Sequence, residues 1–123
     1  MNNAYILACA RSPITKSNKG ALSFIRIDDV AAEVIIGLLT KVPTLDIKQI
    51  EDVIIGCAMP EGEQGLNVAR NISILAGLPI TAGAVTVNRF CASSLEAINL
   101  AAKNIWSENG DLFLVGGIES MTH

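Results

Sequence analysis

The chain has 123 residues, a formal net charge of −3 and a sequence pI near 5.0. Half of its residues are apolar and 17% are charged, which is typical of a folded domain and excludes a disordered tail. The length predicts a single domain over residues 1–123. Because a mildly acidic chain offers no basic stripe for a phosphate backbone, we expect no nucleic-acid partner.

The hydropathy pattern argues against a membrane protein. No apolar run approaches the roughly 18 to 20 residues that cross a bilayer, and Glu33 interrupts the apolar segment from Val30 to Leu39. Residues 1–10 lack the basic start and cleavable apolar stretch of a signal peptide. We therefore expect a cytoplasmic protein that does not insert into membranes.

Four short apolar runs predict β-strands. Near-continuous apolar character over so few residues is typical of strands that are covered on both faces of a sheet. The predicted strands are Ala4 to Ala10, Asp52 to Cys57, Ala84 to Asn88 and Leu112 to Val115.

Between these runs, helical periodicity predicts helices over residues 28–41, 67–77 and 91–108. The first helix is expected to be mostly buried. The order βαβαβαβ predicts an α/β fold with a mostly parallel sheet, right-handed crossovers and helices on both faces. The predicted apolar face of the second helix is Val68, Ile72 and Leu75, and that of the third is Cys91, Leu95, Ile98, Ala102 and Ile105.

The sequence offers no pattern for a bound cofactor or metal. Cys9, Cys57 and Cys91 are odd in number and far apart, which argues against a disulfide framework and against a CxxC metal or redox site. No predicted strand runs into a G-x-G-x-x-G turn. The Gly62 to Gly65 segment has two acids, Glu61 just before it and Glu63 within it, where a phosphate loop needs lysine, so it is interpreted as a surface turn.

The junction from the third strand into the third helix places Cys91 in the first turn of an apolar helix. Backbone N–H groups and the positive end of the helix dipole stabilise a thiolate there. The same amides could hold an oxyanion if the sulfur attacked a carbonyl. The residues alone leave two interpretations of Cys91 open, a nucleophile or one more buried apolar cysteine, which is what we expect of Cys9.

A family resemblance favours the nucleophile. VNRFCASSLEA at residues 87–97 and GGIESM at 116–121 resemble the nucleophile and following strand segments of thiolases, most closely the degradative 3-ketoacyl-CoA thiolases. ARSPI at residues 10–14, LNVAR at 66–70 and AGLP at 76–79 resemble further thiolase motifs. The ketoacyl synthases share the fold but usually have a TACSSS-like segment at the cysteine.

The resemblance implies a thiolase-like fold of two similar halves, of which this chain is the incomplete first half. Thiolases also have a CoA-binding loop region, a G-H-P histidine and a C-x-G cysteine, and this sequence contains neither of the two motifs. We expect the chain to stop before the loop region and the last strand of the first half. His123 is accordingly interpreted as part of a cut loop and not as the catalytic base.

The resemblance also implies the activity, acetyl-CoA C-acyltransferase in fatty-acid β-oxidation. Cys91 would form an acyl-thioester intermediate, with acyl-CoA and coenzyme A as substrates and no bound cofactor. It further implies a homodimer or homotetramer and leaves open an association with a β-oxidation multienzyme subunit. Two alternatives stay open: an acetoacetyl-CoA thiolase (acetyl-CoA C-acetyltransferase) and a non-catalytic thiolase-like remnant. The chain by itself is expected to be inactive.

Residues around Cys91 are expected to be structural. Arg89 is predicted to serve an interface or a hydrogen-bond set, in preference to binding CoA phosphates. Gly116 and Gly117 are predicted to permit a close backbone approach, and Glu119 to be a buried hydrogen-bonding group beside the site. Trp106 is predicted to lie in the core.

Overall fold

The computed structural model describes residues 2–122. It contains three α-helices, three β-strands and two single-turn 3₁₀ helices. Within residues 2–122 no helix combines the length and the apolar character needed to cross a membrane. In chain order the elements are α1 (Ile27–Leu39), a 3₁₀ turn (Ile47–Gln49), β1 (Asp52–Gly56), a 3₁₀ turn (Gly62–Gln64), α2 (Val68–Leu75), β2 (Gly83–Val87), α3 (Ser93–Trp106) and β3 (Phe113–Gly117).

The three strands form one parallel sheet in the order β2-β1-β3. Strand β1 is central, and Ile54 pairs with Val85 on one side and with Val115 on the other. Its residues from Val53 onward are buried, as expected for a strand covered on both faces. The predicted α/β class and the parallel sheet are confirmed.

Helices cover both faces of the sheet, as predicted. On one face α3 packs on the sheet through Ala97 and Ala101, which lie against Ile54. On the other face α2 packs against β1 and β2, and α1 packs on α2. That second layer contains most of the core: Ala32, Ile35, Val53, Ile55, Val68, Ala69 and Ile72 are among its buried side chains.

The predicted first strand, Ala4 to Ala10, is wrong. The segment has no regular secondary structure, and Tyr5 and Ile6 are 74% and 82% exposed. It lies near α1, where Lys41 Nζ donates a hydrogen bond to the Cys9 carbonyl at 2.7 Å. A strand needs a backbone partner as well as apolar side chains, and this segment does not pair with either edge of the sheet. Cys9 is consequently exposed, not buried.

Two predicted helix faces also need correction. Helix α1 was expected to be mostly buried, but only Asp28, Ala32 and Ile35 are, because it contacts the rest of the domain along one stripe. In α2, Val68 and Ile72 are buried as predicted, whereas Leu75 is half-exposed. A short helix packed on two neighbours buries adjacent positions, here including Ala69 and Ser73.

The buried positions of α3 hold small residues, not the large apolar ones that were predicted. Ser93, Ala97 and Ala101 are buried, whereas Leu95 and Ile98 are 68% and 45% exposed. Trp106 is also 45% exposed, so its predicted core position is wrong. Because the N-terminus of α3 lies close against the ends of the strands, side chains larger than serine or alanine do not fit between them.

Candidate active site

The carboxyl ends of the three parallel strands meet at one edge of the sheet. The amide of Cys57, just after β1, donates to the Val87 carbonyl of β2 at 3.0 Å. The amide of Ile118, just after β3, donates to the Gly56 carbonyl at 3.0 Å. The loops that follow the strands therefore start side by side, and Cys91 lies in the loop that follows β2.

Cys91 follows a tight turn that is held by two side chains. Phe90 has a left-handed backbone (φ 49°), which is uncommon for a residue other than glycine. Its amide donates to Asn88 Oδ1 at 2.8 Å, a local Asx turn. Ser93 Oγ accepts from the Arg89 amide at 2.9 Å and donates to the Phe90 carbonyl at 2.6 Å. The polar groups of the turn are thus bonded inside it, and the Cys91 residue is exposed.

Cys91 lies before the first turn of α3, not within it as predicted. Ala92 is the N-cap and Ser93 the first helical residue, so Cys91 precedes the helix. The amides of Ala92 and Ser93 donate to the Arg89 and Phe90 carbonyls, each at 3.1 Å. The expectation that first-turn amides hold an oxyanion is therefore wrong for these two groups, because both already have acceptors.

Glycines let α3 approach the strand ends. A Cβ atom on Gly56 would lie 2.4 Å from the Ser93 carbonyl carbon and the Ser94 nitrogen. A Cβ atom on Gly117 would lie 2.5 Å from Ser94 Cβ. The predicted close approach is confirmed at Gly117, and Gly56 is a second such position that the sequence reasoning missed. Both glycines fix how near the Cys91 turn lies to the sheet.

Glu119 ties together the loops after β1 and β3. Its carboxylate accepts from the Ala58 amide at 2.8 Å, from the Met59 amide at 3.1 Å and from Gln64 Nε2 at 3.1 Å. Gln64, only 2% exposed, also accepts from the Ser120 amide at 2.9 Å. The hydrogen-bonding role predicted for Glu119 is confirmed, but the residue as a whole is exposed, not buried. The turn at Gly62–Gln64 is consequently more than a surface turn, since Gln64 is built into this network.

Cys57 is the buried cysteine of this edge. Its side chain has no exposed surface, and its Sγ donates to Glu119 Oε1 at 3.8 Å. Burial, reinforced by the neighbouring Glu119 charge, raises the pKa of Cys57 to about 11. Cys57 is therefore a neutral thiol at neutral pH and is poorly suited to nucleophilic attack.

Arg89 and His123 are two further residues that the sequence analysis considered. Arg89 Nε lies 3.3 Å from Glu96 Oε2, and this ion pair between the exposed Arg89 and the partly buried Glu96 suits the predicted structural role. His123 lies outside the described residues.

The sequence analysis did not predict the roles of Asn88 and Ser93 in holding the turn before Cys91. Asparagine directly after a strand and two residues before the strained position is the Asx-turn signal that could have identified Asn88.

Comparison with known proteins bears on this arrangement. The family described as "Thiolase, N-terminal domain" matches residues 4–123. The chain belongs to the thiolase family. It is 50% identical over its full 123 residues to proteins named 3-ketoacyl-CoA thiolase from Shewanella sp. (strain ANA-3), Shewanella oneidensis and Shewanella baltica (strain OS155). The chain spans 32% of the length of these thiolases.

Proposed function

We propose that this chain provides the nucleophile of a 3-ketoacyl-CoA thiolase of fatty-acid β-oxidation, with Cys91 as the acyl carrier. The observation that carries the proposal is the placement of Cys91. It is exposed on a side-chain-braced turn at the carboxyl edge of a parallel sheet, within the VNRFCASS segment that resembles the thiolase nucleophile. Of the other cysteines, Cys57 is buried with a raised pKa and Cys9 lies in a segment without regular structure.

In the proposed reaction, the Cys91 thiolate attacks the 3-keto carbon of a 3-ketoacyl-CoA. The bond between the second and third carbons then breaks, its electrons leave with the second carbon, and protonation of the resulting enolate yields acetyl-CoA. The sulfhydryl of a second CoA attacks the Cys91 thioester and releases the shortened acyl-CoA, which restores the thiolate. The chain contributes the sulfur and the frame that holds it. An acid, a base and oxyanion donors are required in addition.

Acyl-CoA and CoA are the proposed substrates, and the proposed assembly is a homodimer or homotetramer in the cytoplasm, alone or with a β-oxidation multienzyme subunit. The exposed apolar side chains of α3, Leu95 and Ile98, support an association that covers them.

A chimera tests the activity directly. This chain replaces the aligned 32% of the Shewanella sp. (strain ANA-3) thiolase, and thiolysis of 3-ketoacyl-CoA is measured. We expect activity in the chimera and in its Cys9→Ala variant, and loss of activity in Cys91→Ala. A chimera that keeps the parent's melting temperature and assembly size but has no activity, or one that stays active without Cys91, would contradict the proposal.

Two further measurements address the alternatives. The chain by itself is expected to cleave acetoacetyl-CoA no faster than its Cys91→Ala variant, because it contains neither a G-H-P nor a C-x-G motif. The DNA downstream of His123 separates an enzyme from a remnant: an open frame with both motifs supports the enzyme. The chain-length preference of that complete product then decides between 3-ketoacyl-CoA and acetoacetyl-CoA thiolase.

A further inference from the structure

A chain of hydrogen bonds connects Glu119 to the backbone amide of Phe90, the residue before Cys91. It runs from the Glu119 carboxylate to the Ala58 amide, and from the Ala58 carbonyl to the Asn88 side chain. It ends at the Phe90 amide. We propose that Glu119 is a positioning residue for Cys91, acting through the turn after β1 and through Asn88. The inference rests on the proposed function of Cys91 as nucleophile and adds the group that holds it in place.

The Glu119 carboxylate is surrounded by hydrogen-bond donors. Oε2 accepts from the Ala58 amide, while Oε1 accepts from the Met59 amide and from Gln64 Nε2. A glutamine at this position could offer only one acceptor oxygen, and its NH₂ group would face a backbone N–H. The site therefore requires a carboxylate, and the turn at residues 58–59 is fixed by it.

Asn88 forms hydrogen bonds through both the NH₂ group and the oxygen of its side-chain amide. Nδ2 donates to the Ala58 carbonyl at 3.0 Å, and Oδ1 accepts from the Phe90 amide at 2.8 Å. The turn that Glu119 fixes through the Ala58 amide is thus also the anchor for Asn88. Because Asn88 spans the gap between the loops after β1 and β2, displacement of the first loop displaces the second.

Phe90, the residue directly before Cys91, has a strained backbone conformation. Phe90 is 72% exposed and has a left-handed backbone, so burial of its side chain cannot account for that conformation. The bonds that hold it are those from Asn88 and Ser93 on either side of the turn. Without the Asn88 bond we expect Phe90 to relax, and the direction in which Cys91 leaves the turn changes with it.

The test is hydrogen exchange at the Phe90 amide in the 123-residue chain, normalised to the Ile54 amide at the centre of the sheet. Loss of one hydrogen bond corresponds to about fivefold faster exchange. We expect that acceleration in Asn88→Ala and in Glu119→Gln. Asn88→Asp keeps the acceptor for the Phe90 amide but loses the donor to the Ala58 carbonyl, so it should accelerate exchange as Glu119→Gln does. Glu61→Gln is the matched control, because Glu61 is exposed in the same loop and makes no side-chain capping bond.

A double variant separates positioning from general loosening. The Asn88→Asp substitution removes the donor to the Ala58 carbonyl, so adding Glu119→Gln to it should have no further effect on Phe90 exchange. As a second readout, the iodoacetamide labelling of Cys91 relative to Cys9 should move toward its urea-denatured value in Asn88→Ala and Glu119→Gln. Cys57 should stay unlabelled in both, because the core remains closed.

The exchange measurements either support or contradict the positioning role of Glu119. Unchanged Phe90 exchange in Glu119→Gln, or equal acceleration with and without Asn88→Asp, overturns it. Acceleration that depends on Asn88, with Glu61→Gln unchanged, supports it. The chimera assay judges the nucleophile separately: an active Cys91→Ala chimera would remove the proposed function, whereas the Phe90 exchange would still decide whether Glu119 fixes this turn.

Discussion

Cys57 and Cys91 follow neighbouring parallel strands at the same edge of the sheet, yet their surroundings are opposite. Cys57 comes directly after β1, has no exposed surface and lies beside a carboxylate. Cys91 comes four residues after the end of β2, beyond a strained turn, and is exposed. The distance from the strand end therefore separates a structural thiol from a candidate nucleophile. A side chain that continues the strand stays in the core, and one beyond a braced turn reaches solvent.

The largest expected effect is the difference in labelling between these two thiols. A thiol with the pKa of Cys57, about 11, is ionised at neutral pH about three hundredfold less than an ordinary exposed thiol. We expect limiting iodoacetamide at neutral pH to label Cys91 at least about a hundredfold faster than Cys57, as measured by peptide mass mapping. A urea-denatured sample is the control, and there the rates should converge. Labelling of Cys57 at a similar rate in folded protein would show that the burial argument is wrong.

A methyl group on Gly56 should force the start of α3, which lies next to Cys91, away from the end of β1, which lies next to Cys57. Gly56 precedes Cys57, and its missing Cβ is what allows the start of α3, next to Cys91, to lie against β1. Because the clash is with backbone atoms, Gly56→Ala should lower the free energy of unfolding by about 3 kcal/mol. Gly37→Ala is the matched control: nothing lies within 4 Å of that position, and alanine in a helix should raise stability by about 1 kcal/mol. Chemical denaturation measures both, and equal effects would contradict the close-approach argument.

The sequence predicted the three strands of the sheet and all three helices because their signals are local. Apolar runs such as residues 52–57 and stop signals such as Gly77 depend only on neighbours in the chain. The residues that resemble the thiolase nucleophile segment also indicated Cys91 as the candidate nucleophile without a structure. Glu119 was predicted as a hydrogen-bonding group, although its partners, Ala58, Met59 and Gln64, could not be named.

The rest depended on contacts between distant residues. Whether Ala4 to Ala10 becomes a strand depends on a backbone partner, which its own side chains cannot specify. Which side of α3 meets the sheet depends on Gly56 and Gly117, which let Ser93 and Ser94 lie next to the strand ends. The bond from Asn88 to Ala58 joins residues 30 positions apart. Periodicity alone cannot find such pairs.

The pH dependence of stability sharpens the contrast at Cys57. Its folded pKa, about 11, exceeds the ordinary thiol value of about 8.5, so the neutral thiol contributes stability that is fully present below the ordinary value. That stability is lost as the pH rises through 11, because the unfolded thiol ionises first. We expect the free energy of unfolding to fall by about 3 kcal/mol more in the wild type than in Cys57→Ala between about pH 8.5 and 11. Parallel curves for the two proteins would contradict this account.

The smallest expected effect compares two exposed thiols, Cys91 and Cys9. Cys9 lies in a segment without regular structure, whereas Cys91 lies just before the N-terminus of α3. A helix N-terminus stabilises a nearby anion by about 0.3 to 1 kcal/mol, and the effect decreases beyond the first turn. A more stable thiolate is also a weaker nucleophile, which offsets part of the gain.

We therefore expect Cys91 to be labelled only about twofold faster than Cys9 in the folded chain, and at the same rate in urea. A thiol inside the first turn would gain more, so the size of the ratio tests where the helix begins. Ala92→Pro provides a check, because it removes an amide that donates to the Arg89 carbonyl and disturbs the start of α3. If the helix N-terminus activates Cys91, the ratio should fall toward one in this variant, while Cys9 keeps its rate. A ratio near one in the wild type would mean that the turn exposes Cys91 without activating it, and activation would then have to come from groups outside residues 2–122.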